Sequence, residues 1–413
     1  MRTAIWLYLF LFVAFFDLHA QYPMLTPFAV SLGAAPSFIG LVMGMYSLTH
    51  LPGNLMAGYG VDRYGSRIFI AASLAGAGIL LLLQARVTDP WHLLYIRSAS
   101  GFVLAFLSPA CLSLLARLAK NHIQQGKLMA GNGLVHTIAS VVSPAAGAWL
   151  AAKIGFTQSF AILGWILLAT GISSLWFVRE PPMPQTAAEG ASGGAGEADR
   201  VRPAATSDGQ SARSGAASAE KGGAEGKFPW VVFLLPVAIS CAQGILAFEL
   251  PLRATSSDEL LTTGLLFSVV SLGALATLGM LFLQRYLPYG RNVAGLLLMA
   301  IAYYGMAAEW PIPMVGMLFV VGMAKGVIFP AMTSFMLQLS GPSRFGRTFS
   351  FMSIAMAIGS FLGPVAAGAV RGHLSPFFLS FAVLMAALVA LMPRPVYAKG
   401  WNGSADIPPA AGH

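Results

Sequence analysis

Apolar and polar positions fall in long alternating blocks along this chain. A bilayer is crossed by about twenty apolar residues in a helix. Runs near that length lie at roughly 4–22, 37–58, 68–85, 91–116, 128–151 and 157–178. A second set lies at roughly 229–251, 262–284, 292–309, 312–339, 347–370 and 376–393. The pattern predicts an all-α integral membrane fold of about twelve transmembrane helices in two six-helix bundles, at residues 1–180 and 228–395. Residues 181–227 are Ala, Gly, Ser, Pro and scattered charges with little to bury, and are expected to be a disordered cytoplasmic linker. Residues 396–413 are expected to be a cytoplasmic tail.

Composition agrees with lipid as the solvent. The chain is 57% hydrophobic and 9% charged, against about 25% charged for a soluble domain. Its formal net charge of +9 is spread between apolar blocks, so it reads as topogenic charge and not as a nucleic-acid surface. Arg63, Arg67, Arg117, Lys120, Lys127, Arg285, Arg291, Arg344 and Arg347 occupy one set of connections, and only Arg86, Lys153, Arg253 and Arg371 the other. The positive-inside rule then places both termini and the linker in the cytoplasm and the protein in the cell (inner) membrane. Leu18-His19-Ala20 has some likeness to a signal-peptidase site. Leu18 is large for such a site and Asp17 interrupts the apolar run, so the segment is kept as the first span.

The two blocks repeat one another. A shift of 224 residues carries Pro27 to Pro251, Gly40-Leu41 to Gly264-Leu265 and Arg67 to Arg291. A shift near 221 carries Gly101 to Gly322 and Pro109-Ala110 to Pro330-Ala331, and one of 220 carries Ser143-Pro144 to Gly363-Pro364. Parallel repeats joined by a linker are a recurring transporter plan, with the substrate at their interface.

Residues 58–67, from Gly58 through Asp62, Arg63 and Gly65 to Arg67, resemble the loop motif between helices two and three of the major facilitator superfamily, with Ser66 in place of a basic residue. Arg97, Ser100 and Gly101 are similar to that family's fourth-helix pattern, with Ser100 in place of Gln. Ser143-Pro144-Ala145-Ala146-Gly147 resembles the fifth-helix motif of drug:proton antiporters, and Gly359, Gly363-Pro364 and Gly368 form a cleaner copy in helix eleven. The resemblance implies alternating access about a central cavity. It also implies that Asp62 and Arg63 latch the halves on the inner side near Arg347, holding the outward-facing state. Pro144, Gly147, Gly363 and Pro364 would bend helices five and eleven or let neighbours approach closely.

A charged residue inside a span costs about 2.5–3.5 kcal/mol on insertion scales, so each one asks for a role. Asp17 and Arg97 both fall in the outer half of the membrane, and form either a proton acceptor tuned by an arginine or a fixed ion pair bracing the bundle. Lys325 lies near the midplane of the tenth span, where substrate binding or pairing with a carboxylate would satisfy it. Glu249, four residues before Arg253, is a further candidate at the substrate or the outer mouth. His50 and His136 could shuttle protons or simply pack.

The expected activity is secondary active transport of a small solute, in the direction of proton-coupled export, by a monomer with no cofactor. Uniport or import of a small organic anion, and a membrane sensor without transport, are the alternatives. No metal-spaced cluster or nucleophile–base pair suggests an enzyme. The Gly222–Lys227 stretch has the wrong spacing for a nucleotide-binding loop, which argues against a primary pump.

Overall fold

The computed structural model describes residues 2–119, 122–178, 230–280, 282, 285–340 and 345–392, apart from the side chains at positions 2, 62, 122, 123, 278 and 345–347. The expected linker at 181–227 and tail at 396–413 lie outside the described residues. The order is α1 (Arg2–Ser31), α2 (Pro36–Tyr64), α3 (Ser66–Gln84), α4 (Pro90–Leu104), α5 (Leu107–Leu118), α6 (His122–Ile154) and α7 (Phe156–Phe177). After a short 3-10 turn at Trp230–Phe233 come α8 (Leu234–Leu252), α9 (Ser257–Leu278), α10 (Pro288–Ala307), α11 (Met314–Ser340), α12 (Phe345–Val370) and α13 (Pro376–Ala390).

These helices make the twelve expected crossings, because α4 and α5 are one span, Pro90–Leu118, with a break. Pro109 has no N–H to give to the Ala105 carbonyl, so the helical ladder lapses at Ala105 and Phe106 and resumes where Ala110 donates to Phe106. The first span exceeds its expected end at residue 22: α1 runs to Ser31 with Pro23 and Pro27 inside it. Proline is tolerated in membrane helices where neighbouring groups satisfy the freed carbonyls, so Pro27 lies within this helix and not just beyond it. Nine spans among the described residues are long and apolar enough to cross a membrane by length and composition. α2, α10 and the 15-residue α13 fall short of that measure.

Two apolar cores organise the helices. One is built mainly from the first seven helices around Leu7, Phe10, Leu74, Leu114 and Phe160, and takes in Cys241, Ile245, Phe248, Leu260 and Ala367 from the second half. The other is built from α8–α13 around Ile239, Met299, Tyr303, Leu318 and Phe377. Buried hydroxyls tie helices within each core. Tyr8 Oη donates to the Leu128 carbonyl at 2.9 Å, Tyr303 Oη to Ala242 at 2.9 Å and Tyr289 Oη to Leu391 at 2.8 Å.

Between the halves, α2 packs on α12 and α6 on α9. These contacts concentrate at the end where α2 and α9 begin and where α6 and α12 finish. A Cβ on Gly40 would overlap the Pro364 carbonyl, and one on Gly264 would overlap the Pro144 carbonyl and Ala148. At the opposite end, which carries the basic loops, a Cβ on Gly58, Gly126 or Gly133 would meet nothing within 4 Å. The described close approaches between the halves therefore lie where α2 and α9 begin and α6 and α12 finish.

Gly264→Leu should cost about 1–3 kcal/mol through overpacking of α6 against α9. Gly133→Ala, which faces open space, should change stability by less than about 0.5 kcal/mol. Unfolding midpoints of the purified proteins in one detergent check this ranking.

Candidate functional site

Between the halves lies a cavity of about 560 Å³ bordered by α1, α2, α4, α6, α8, α9, α11 and α12. Its polar lining includes His19, Gln21, Tyr22, Tyr46, Arg97, His136, Gln243 and Lys325, and its apolar lining includes Leu25, Met43, Phe267, Val270, Phe329 and Met356. None of the described lining residues is a carboxylate. Pro144 and Pro364, expected as helix-bending positions, both border this space.

Asp17, Gln21 and Arg97 are buried together, with exposures of 2%, 4% and 6%. Gln21 lies one helical turn beyond Asp17 on α1, and its amide Nε2 donates to Asp17 Oδ2 at 2.8 Å. Arg97 Nη1 reaches from α4 to donate to Gln21 Oε1 at 2.8 Å. Only one orientation of the amide serves both neighbours, because a carboxylate accepts and a guanidinium donates. The Arg97 guanidinium also lies 4.6 Å from the centre of the Tyr46 ring on α2. Asp17 Oδ1 and Arg97 Nε are buried without hydrogen-bond partners. Asp17 and Arg97 are thus brought together, but through a neutral amide and not as the direct ion pair that one sequence reading offered. Gln21 was absent from that reading. The four-residue step from Asp17 was the available signal, and the partner on α4 was not.

Lys325 projects from α11 at the cavity wall with its Nζ 5.8 Å from the centre of the Phe329 ring. No carboxylate of the described residues lies within 4 Å of it. Across the cavity, the rings of His19 on α1 and His136 on α6 meet edge to face at 5.2 Å. His19 Nδ1 is 2.7 Å from the Phe15 carbonyl. A carbonyl can only accept, so Nδ1 holds the proton and Nε2 is left as an acceptor. His50 does not border the cavity; its Nδ1 is 2.8 Å from the Asn54 amide.

Glu249 requires a correction. It was expected at the substrate or the outer mouth as a helical partner of Arg253, yet it is 3% exposed and does not border the central cavity. Arg253 Nε pairs with Oε1 at 3.1 Å, and Arg371, from just beyond α12, approaches Oε2 at 3.5 Å. Two guanidiniums oppose the buried charge, though Oε2 has no hydrogen-bond partner, so Glu249 links the ends of α8 and α12 beside a separate, smaller cavity.

Of the expected gating residues, Gly65 takes φ 86° at the turn between α2 and α3, a conformation that favours glycine. Arg63 is exposed; its guanidinium donates to Tyr59 Oη at 3.0 Å and lies 5.4 Å from the Tyr64 ring centre, all within α2. Arg67 donates to the Leu175 carbonyl of α7. Gly147 sits against the Ala20 backbone and Gly363 against Cys241, both within their own halves. The side chains of Asp62 and Arg347 lie outside the described residues.

Gln21→Leu should destabilise the protein by about 1–3 kcal/mol, since it strips a buried carboxylate and a buried guanidinium of a partner. In a double-mutant cycle with Arg97→Met, the losses should fall short of additivity by more than about 0.5 kcal/mol. Chemical unfolding of the four proteins checks both figures.

Comparison with known proteins places this geometry. The chain is 23% identical over 392 residues to the uncharacterized MFS-type transporter YuxJ of Bacillus subtilis, covering 88% of this chain and 91% of that protein. It is 23% identical to the multidrug resistance protein MdtG of Citrobacter koseri, with 89% and 87% covered, and 20% identical to a multidrug resistance efflux pump PmrA homolog of Lactococcus lactis, with 86% and 84% covered. Among solved structures, a bacterial homolog of the human lysosomal transporter Spinster, inward-facing and occupied, superposes with a TM-score of 0.69 at 15% identity, over 97% of this chain and 96% of that one. The nucleoside transporter NupG gives 0.67 at 15% identity, with 93% and 98% covered. The sequence profile of the Major Facilitator Superfamily matches residues 7–294 and 292–407, and this chain, a multi-pass membrane protein of that fold, belongs to the Major Facilitator Superfamily.

Proposed function

We propose that the protein is a secondary transporter that carries a small solute across the cytoplasmic membrane by alternating access, with Asp17 as its proton site. The observation that carries this reading is the Asp17–Gln21–Arg97 chain. A carboxylate gripped directly by a guanidinium is held in its charged form. Here the cation acts through an amide, and Asp17 Oδ1 has no hydrogen-bond partner to be displaced by an arriving proton. Among the described carboxylates, Asp17 is the one buried well inside a span without a salt bridge.

The moving parts in this reading are the bundles at 1–180 and 228–395, joined by 181–227. The basic end is cytoplasmic by the positive-inside rule, and the open space beside Gly58, Gly126 and Gly133 at that end supports reading the state as inward-open. Rocking about the small-residue contacts of α2 with α12 and of α6 with α9 would close that end. Asp62 and Arg63 would then meet the start of α12, where a carboxylate near a helix N-terminus gains about 0.3–1 kcal/mol. In the inward-open state Arg63 bonds only within its own helix, which agrees with a latch that is released.

Two directions are open to such a carrier. The names of the multidrug resistance relatives favour export in exchange for protons, in which cargo and proton compete. The unpaired Lys325 favours uptake of an anion together with a proton.

Reconstituted protein in proteoliposomes should accumulate cargo from a compound panel when a pH gradient is imposed. Motion of cargo against the proton gradient identifies exchange, and motion along it identifies co-transport. Asp17→Asn should abolish gradient-driven accumulation while leaving downhill counterflow within about threefold of wild type; accumulation that survives the substitution removes Asp17 from coupling. Asp62→Asn should shift the population inward. Maleimide labelling of a Ser140→Cys probe, at the cavity wall, should then quicken, and a slower rate contradicts the latch.

A further inference from the structure

We infer that the cargo is an amphipathic organic monoanion, with its acid group held by Lys325 and the Gln243 amide. This deepens the transport reading above and depends on it only for the cavity being the cargo site. Asp17 and Arg97 offset each other through Gln21, and Glu249 is matched by arginines away from the cavity. Lys325 is left as a cavity-wall cation with no carboxylate of the described residues within 4 Å. The Phe329 ring at 5.8 Å offers only a weak cation–π contact, which does not offset the cost of an ammonium at membrane depth. Water hydrates that ammonium while the cavity is open. Closing the cavity removes the water, and a counter-ion must then come from the cargo.

The unsatisfied hydrogen-bonding groups point the same way. Two cavity-lining residues carry buried polar atoms without partners, Arg97 Nε and Gln243 Nε2, and both are donors. A ligand rich in acceptors satisfies them; an amine or ammonium does not. The lining carboxylates that would attract a cationic compound are absent among the described residues, and Lys325 repels one. Phe267, Val270 and Met356 supply an apolar wall for the rest of the molecule. A cavity of about 560 Å³ lies within the roughly 300–1,000 Å³ range of small-molecule sites, far more than an inorganic anion fills.

A negative cargo also settles the sense of coupling. The groups nearest Asp17 are Arg97 through Gln21 and Tyr46 beneath that guanidinium, and the cavity that Gln21, Arg97 and Tyr46 line also carries His19, His136 and Lys325. Removing the Asp17 charge leaves this set more positive, so a bound proton and a bound anion favour each other. That corresponds to the co-transport outcome of the gradient experiment.

The test is equilibrium binding to the purified full chain in detergent, without any gradient. The probes are 4-phenylbutyrate, its neutral amide and 4-phenylbutylamine, followed by thermal stabilisation. The carboxylate, or a phenylalkanoate one or two methylenes longer or shorter, should stabilise the protein saturably, and the amide and amine should not. Lys325→Gln should weaken carboxylate binding about tenfold or more, as loss of a charge-assisted contact implies, and Lys325→Arg should keep it within about threefold. Gln243→Leu should weaken it less than Lys325→Gln does. Stabilisation by the amine equal to that by the carboxylate, no binding by any phenylalkanoate, or undiminished binding in Lys325→Gln each overturns the inference. If Lys325→Gln does not fold, the ranking of the three probes on the wild type and on Lys325→Arg decides. Asp17→Asn that still prefers the carboxylate but no longer couples to protons would leave the cargo assignment intact and remove the proton role alone.

Discussion

Charge is expensive in hydrocarbon, about 2.5–3.5 kcal/mol per residue by insertion, and this cost governs where each ionisable group of the molecule sits. Basic residues gather at the loops of one end. Asp17 and Arg97 share a neutral amide, and Glu249 is held between Arg253 and Arg371. These are three solutions to one problem: exclusion from the bilayer, mediated pairing and direct pairing. Lys325 follows none of them, and its position on the wall of the central cavity gives that exception a functional meaning.

The cavity lies between two halves held together at close helix crossings. Backbone contact is the means: Gly40 lies against Pro364 and Gly264 against Pro144 and Ala148, with no side chain to hold the helices apart. Such contacts gain dispersion energy without the hydrophobic drive that water supplies, which is the usual basis of helix association in lipid. They also leave room for one helix to rock on another. The Pro144 and Pro364 that border the cavity belong to the same crossings, so the proposed hinge and the proposed cargo site share residues.

Much of this was legible in the chain. Apolar runs of membrane length marked the helices, and the running order of Pro and Gly revealed the repeat. Asp17, Arg97 and Lys325 stood out because so few charges interrupt those runs. Helix ends were less legible. α1 runs beyond its expected end at residue 22 and through Pro23 and Pro27, since packed neighbours in a membrane can satisfy the carbonyls a proline frees. The break before Pro109 was hidden for the opposite reason: the apolar run is unbroken there although the hydrogen-bond ladder is not. Glu249 misled because its neighbour in sequence, Arg253, was visible while Arg371, more than a hundred residues away, was not.

The chain by itself determined that the protein is a repeated helical membrane fold, and which residues are costly enough there to demand a purpose. Both follow from local composition measured against the solvent properties of lipid. Only the tertiary structure decided who meets whom: Gln21 between Asp17 and Arg97, Gln243 and Lys325 on one cavity, Glu249 away from it. Partnership between helices depends on their relative rotation and depth, which are set by the summed packing of many side chains and leave no periodic trace in any one segment.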